Sequence, residues 1–103
     1  MKHGRVTESE IGEAALEVLA TRPAGIATVR DLKREIPQIV NLSPQDRTPS
    51  VTRRNEEIWE QQIRNLRSHH NVAGNILREG LARRIGKGTY QITDAGRLHL
   101  KSK

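Results

Sequence analysis

Glu79-Gly80-Leu81-Ala82-Arg83-Arg84-Ile85-Gly86-Lys87-Gly88-Thr89-Tyr90-Gln91-Ile92-Thr93-Asp94-Ala95-Gly96-Arg97 is the stretch that decides the fold. Residues 81–85 and 89–92 are short runs of β-type side chains on either side of Gly86-Lys87-Gly88, a pattern that predicts a two-stranded hairpin. Gly80 suits the end of a preceding helix, and Gly86 and Gly88 allow a tight turn. Thr93-Asp94-Ala95-Gly96 then caps a short final helix that carries Leu98 and Leu100.

Upstream, Trp59, Ile63, Leu66 and His70 recur at the period of a helix and predict a buried ridge on a third helix over residues 55–70. Asn55 is the expected cap, with Glu56 and Glu57 at the positive end. Gln61, Arg64, Asn65 and Ser68 fall on the opposite, wholly polar side. A further turn or two of helix is expected over residues 75–79, before Gly80.

The first half of the chain predicts two more helices. Thr7-Glu8-Ser9-Glu10 and Thr28-Val29-Arg30-Asp31 have the spacing of capping boxes, in which side chain and backbone satisfy each other's helix-end amides. Ile11, Ala14, Ala15, Val18 and Leu19 form the apolar stripe of the first helix, which stops near Thr21 because Pro23 and Gly25 follow. Residues 25–28 read as a short extended segment. Val29, Leu32 and Ile36 mark the buried side of the second helix, ended or kinked by Pro37. Residues 41–54 read as a polar, exposed loop, within which Ser43-Pro44-Gln45-Asp46 is a candidate single turn with Ser43 as cap. Residues 1–6 and the basic tail read as frayed edges of one module covering residues 1–103, one that a longer protein could carry.

Composition narrows the function. Only 34% of the 103 residues are hydrophobic, with one Trp, one Tyr and no Phe, so the core is lean and a large ligand cavity is disfavoured. Lys and Arg number 18 against 12 Asp and Glu, a formal net charge of +6, and a small basic domain attracts polyanions. Scarce aromatics argue against single-stranded nucleic acid, which stacks its bases on rings. No basic helix carries bulky apolar residues opposite, so a membrane surface is a poor partner. The absence of cysteine excludes disulfides and cysteine-ligated zinc. The apolar stretch at residues 14–20 is too short to span a bilayer, and the expectation is a cytoplasmic protein without cofactor.

The order helix, short strand, helix, helix, hairpin, short helix suggests an α+β, mostly α, winged helix-turn-helix: a three-helix core with a C-terminal β-hairpin wing at residues 81–92. The quoted stretch resembles the wing and exit of bacterial winged-helix domains. More narrowly, Leu42-Ser43-Pro44-Gln45-Asp46-Arg47, Trp59 opening the third helix, Ile63-Arg64-Asn65-Leu66-Arg67-Ser68-His69 and the wing are similar to winged-helix modules attached to restriction endonucleases, some of which cut modified DNA. That resemblance implies a specificity domain for duplex DNA, methylated or unmodified, acting as a monomeric module beside a nuclease carried elsewhere. The chain itself shows no Asp followed by a Glu-x-Lys pair and no His-and-Asn motif of a nuclease.

Within this reading the base contacts fall to Gln61, Arg64, Asn65, Ser68 and His69, since Arg pairs with guanine and Asn or Gln with adenine. Phosphate contacts fall to Arg53, Arg54, Arg67, Arg83, Arg84, Lys87 and Tyr90. Arg83 and Arg84 are neighbours on a strand and point to opposite sides, so one of them is expected to face DNA. Neighbouring helical residues diverge by roughly 100°, so His69-His70 does not form a metal site; no metal ligand set or catalytic group stands out. His70 is expected at the core edge. Two rival readings remain open, a winged-helix protein-interaction module and a transcriptional regulator without a nuclease. The first is favoured by Glu56, Glu57 and Glu60, whose carboxylates repel phosphate.

Overall fold

Thr7 opens the first helix, α1 (Glu8–Ala20), by the expected reciprocal box: its hydroxyl accepts from the Glu10 amide at 3.1 Å, and the Glu10 carboxylate accepts from the Thr7 amide at 2.8 Å. The structure, a computed structural model, describes residues 6–51 and 55–102. The whole expected stripe of α1 is buried, and so are Gly12 and Leu16. From Ile11 onward Glu17 alone is exposed, so α1 is not an amphipathic surface helix but the enclosed centre of the domain.

Strand β1 (Ile26–Thr28) runs directly into α2 (Val29–Glu35), whose cap Thr28 forms the second reciprocal box with Asp31. Pro37 ends α2 by tightening the chain into a 3-10 turn, Ile36–Gln38. Ser43 caps a single turn as its sequence suggests, accepting from the Asp46 amide at 3.2 Å. Asp46 does more than the sequence indicates. It is buried, and its two oxygens accept from the Val6 amide at 2.7 Å and the Ser43 amide at 2.9 Å. Val6 is therefore packed into the core rather than frayed.

The polar loop is also less open than expected. Thr48 and Asp46 carbonyls accept from the amides of Ile58 and Trp59, and the Ser50 amide donates to the Glu56 carbonyl. These bonds lash residues 46–50 to the entrance of α3 (Ile58–Ser68). That helix starts three residues later than the expected 55. Asn55 is not its cap, because its backbone lies in the left-handed region (φ 65°), and Glu57 stands at the cap instead, its amide donating to Glu60 at 2.7 Å. Trp59, Ile63 and Leu66 form the buried ridge. His70 does not join it; the helix has already ended at Ser68, and His70 is exposed with Nδ1 2.9 Å from the Arg67 carbonyl oxygen.

Residues 75–79 form turns, not the expected helix. The buried Asn75 side chain secures the first of these turns, accepting from the Leu77 amide at 2.7 Å and donating to the Leu66 carbonyl at 3.0 Å. The hairpin is β2 (Ala82–Gly86) and β3 (Thr89–Ile92), and β1 pairs antiparallel with the other side of β3, giving the order β1-β3-β2. The register slips between Arg84 and Gly86, leaving Ile85 as a bulge. Last comes α4 (Asp94–Lys101), capped by Thr93, with His99 2.7 Å from Glu13 of α1. Among the described residues, four α-helices and a three-stranded antiparallel sheet make a small α+β domain. None of these helices is long and apolar enough to cross a membrane.

Gly96 offers a clean test of this packing. A Cβ there would lie 2.1 Å from the Leu81 carbonyl oxygen and 2.7 Å from the Ile92 side chain. Alanine favours a helix by about 1 kcal/mol over glycine, but a backbone carbonyl cannot step aside. Gly96→Ala is expected to destabilise the domain by about 1–3 kcal/mol in urea unfolding; equal or greater stability would mean that α4 does not press on residue 81.

Candidate nucleic-acid interface

The expected polar face of α3 is divided by its surroundings. Facing the hairpin, the exposed Arg64, Arg67 and Ser68 look across a cleft at Arg84, Lys87, Gly88 and Tyr90, with Val29 of α2 at its end. Facing the polar loop, Gln61 donates to Ser50, while Asn65 donates along the helix to Gln62 at 3.3 Å. His69 closes the helix and turns to α1, with Nδ1 2.7 Å from Glu8. Of the expected base-reading set, the cleft thus receives Arg64 and Ser68 and does not receive Gln61, Asn65 or His69.

Of the phosphate set, Arg67, Arg84, Lys87 and Tyr90 line the cleft. Arg84 sits opposite Tyr90 in the ladder and shares its face, whereas Arg83 sits opposite Gln91 and binds that side chain at 2.7 Å on the other face. One arginine of the pair reaches the cleft, by the alternation of a strand. Arg83 contributes instead, beside Arg67, His70 and Arg84, to a shallow groove at the open edge of β2. Arg53 and Arg54 lie outside the described residues.

The cleft has a rigid frame. The Val29 amide donates to the Gly88 carbonyl at 2.9 Å, docking the hairpin turn on the start of α2. Gly88 holds a left-handed backbone (φ 64°), which glycine adopts without strain. Tyr90 is buried in the floor, and burial raises its phenol above the usual range, opposed by the positive charges of Arg84 and Arg67. The phenol therefore keeps its proton at neutral pH and can donate.

Charge is unevenly satisfied. Arg67, Arg84 and Lys87 carry no ion pair among the described residues, and no carboxylate lines the cleft. Arg64 differs: its guanidinium is paired with Glu56, which is buried and also accepts from Lys33 Nζ at 2.7 Å. The hydrogen bond from Arg64 is the main reason the Glu56 carboxyl lies below the ordinary glutamate range; burial opposes it, and Lys33 adds to it. The same bond raises Arg64 above its usual value. Glu57 accepts from Trp59 Nε1 at 2.8 Å and from Arg47, so each of the three glutamates near the helix start is engaged within the protein. The Lys33–Glu56 pair escaped sequence reading because its partners lie on elements separated by the polar loop. No group of three or more ligand-type side chains able to hold a metal ion occurs among the described residues.

Compared with protein-family models, curated proteins and solved structures, the chain matches none.

The depressed Glu56 carboxyl carries a pH signature. Its stabilisation is present above the unfolded-state value near 4.5 and disappears as pH falls through its lower folded-state value. Glu56→Gln is expected to cost about 1–3 kcal/mol at pH 7 and to flatten the acid limb of a stability-versus-pH curve. Parallel curves for parent and variant from neutral to acid pH would refute the assignment.

Proposed function

We propose that the chain binds double-stranded DNA as a winged helix-turn-helix module, with α3 in the major groove and the β2–β3 hairpin as a wing along the sugar-phosphate backbone. The observation that carries this reading is the cleft between α3 and the hairpin, where Arg67, Arg84 and Lys87 converge with no carboxylate among the lining residues. Like charges brought together repel one another, and a polyanion relieves that repulsion while releasing its own counterions. Element order adds support, since α2, α3 and the hairpin follow one another as such a module requires. At 11 residues α3 is about 16 Å long, enough to lie along a groove about 12 Å wide.

Roles divide by geometry. Arg67, Arg84 and Lys87 hold phosphates, Tyr90 donates from the floor, and Arg64 and Ser68 reach base edges. The resemblance to restriction-endonuclease modules that the sequence of the loop, third helix and wing suggests extends the proposal. On that basis the domain selects a site, methylated or unmodified, for a nuclease domain carried elsewhere, and performs no chemistry itself.

Salt titration of duplex binding by fluorescence anisotropy tests this. The slope of log affinity against log salt is expected to be about −0.9 per phosphate contact, and steep between about 50 and 200 mM. Arg67→Ala, Arg84→Ala and Lys87→Ala should each make that slope shallower by about one and weaken all sequences alike. If the parent binds duplex no tighter than an unrelated protein of equal charge, the cleft is not a DNA site and the protein-interaction reading takes its place.

A further inference from the structure

We infer that Glu56 is a positioning residue that presents Arg64 to the major-groove edge of a guanine. This rests on the duplex-DNA reading above and names the base that the site prefers. The grip on Arg64 is side-on: Nε faces one Glu56 oxygen at 3.4 Å and Nη2 donates to the other. A guanidinium has five N–H donors in a fixed fork. The side-on grip engages Nε–H and one Nη2–H, and the end-on edge formed by Nη1 and Nη2 stays available. That edge matches the paired acceptors O6 and N7 of guanine.

The mount is itself fixed. Glu56 is 8% exposed, and the oxygen that accepts from Arg64 Nη2 also accepts from Lys33 of α2 at 2.7 Å. Its backbone carbonyl accepts from the Ser50 amide at 2.8 Å, just after the left-handed turn at Asn55. The Arg64 side chain is 46% exposed at the cleft, so a held stem carries an accessible head. Arg67, Arg84 and Lys87 lack such a partner among the described residues, and a phosphate, which accepts from many directions, does not require one. A base edge does. Ordering the arginine before the ligand arrives removes rotamer freedom that would otherwise be lost on binding. A carboxylate placed close to a polyanion site weakens general affinity, and directional selectivity is what it gives in return.

The test starts from the duplex that the full chain selects from a random pool, with each guanine replaced in turn by 7-deazaguanine, which lacks N7. At one guanine the replacement is expected to weaken the parent about tenfold. Arg64→Ala should be indifferent to it, and Arg64→Lys, which keeps the charge and can still donate to N7 but lacks the planar fork, should respond less than the parent. Glu56→Gln should keep a cooperative thermal transition and the parent's salt slope, bind unrelated duplexes as well as the parent or better, and respond to the replacement less than about threefold. Glu56→Asp, which retains the charge but withdraws it by one methylene, should also lose sensitivity, and it covers the case in which the glutamine variant fails to fold. A purely structural Glu56 would lower stability and leave the response to 7-deazaguanine intact. Full sensitivity in both Glu56 variants therefore overturns the inference, as does a parent that binds duplex yet ignores N7 at every guanine. A parent that binds no duplex removes the duplex reading as well.

Discussion

The enclosure of α1 is the constraint from which the other elements take their places. With one Trp, one Tyr and no Phe, the chain lacks the large side chains that let two layers close a core between them. It uses Ile, Leu, Val and Ala on a central helix and wraps α3, α4, the sheet and the 3-10 turn around it. Small residues make the approach close: a Cβ on Gly12 would stand 3.1 Å from Ile76. At the rim, Glu8 and Glu13 meet His69 and His99, each at 2.7 Å, so the N-terminal half of α1 is tied to the end of α3 and to α4.

A polar connection of this length poses a difficulty, because the described residues of 39–57 cross between α2 and α3 without a helix or an extended strand of their own. Two buried carboxylates solve it. Asp46 gathers the Val6 and Ser43 amides, and Glu56 gathers Lys33 and Arg64. Burying a carboxylate is costly unless its oxygens are met by donors, and at both positions they are. Each carboxylate joins elements distant in sequence, so the entrance to α3 is fixed from outside the helix. The direction of α3 follows from that and, with it, which side chains look toward the hairpin.

The features legible from sequence are those with a local cause. Thr7, Thr28 and Thr93 cap because a hydroxyl followed by a free amide three residues on is a local geometry. The Trp59-Ile63-Leu66 ridge is visible because burial repeats with the helical turn. The hairpin is visible because glycines mark its turn. Where structure and sequence pattern part, the cause is that tertiary bonds, not residue type, select the backbone conformation. Asn55 has the side chain of a cap, but asparagine also tolerates the left-handed region, and the tertiary bonds of residues 48–50 select the latter. Asn75 is likewise held by a tertiary bond, its side chain donating to the Leu66 carbonyl, which residue type does not encode. Lys33 and Glu56 are 23 residues apart, and no periodicity encodes such a pair.

The surface of α3 is a matter of angles. Its buried ridge leaves an arc of about 240° outside the core, taking a stripe of ~100–120° as the buried share. The polar loop occupies one flank of that arc through Ser50 and Gln61, and the hairpin stands over the other through Arg84 and Lys87. A polar face opposite a ridge is therefore not one surface but two, and charge separates them. Toward the loop Gln61 is satisfied by Ser50; toward the hairpin Ser68 stands with the cations Arg64 and Arg67, of which, among the described residues, only Arg64 is paired. The hairpin turn is held to α2 by a backbone bond at Gly88, so one wall of the cleft is placed by main chain rather than by the cations themselves. Positive charges gathered on one flank set up a field before a ligand arrives, and this is why the proposed duplex site is the cleft side of α3 rather than the whole polar face.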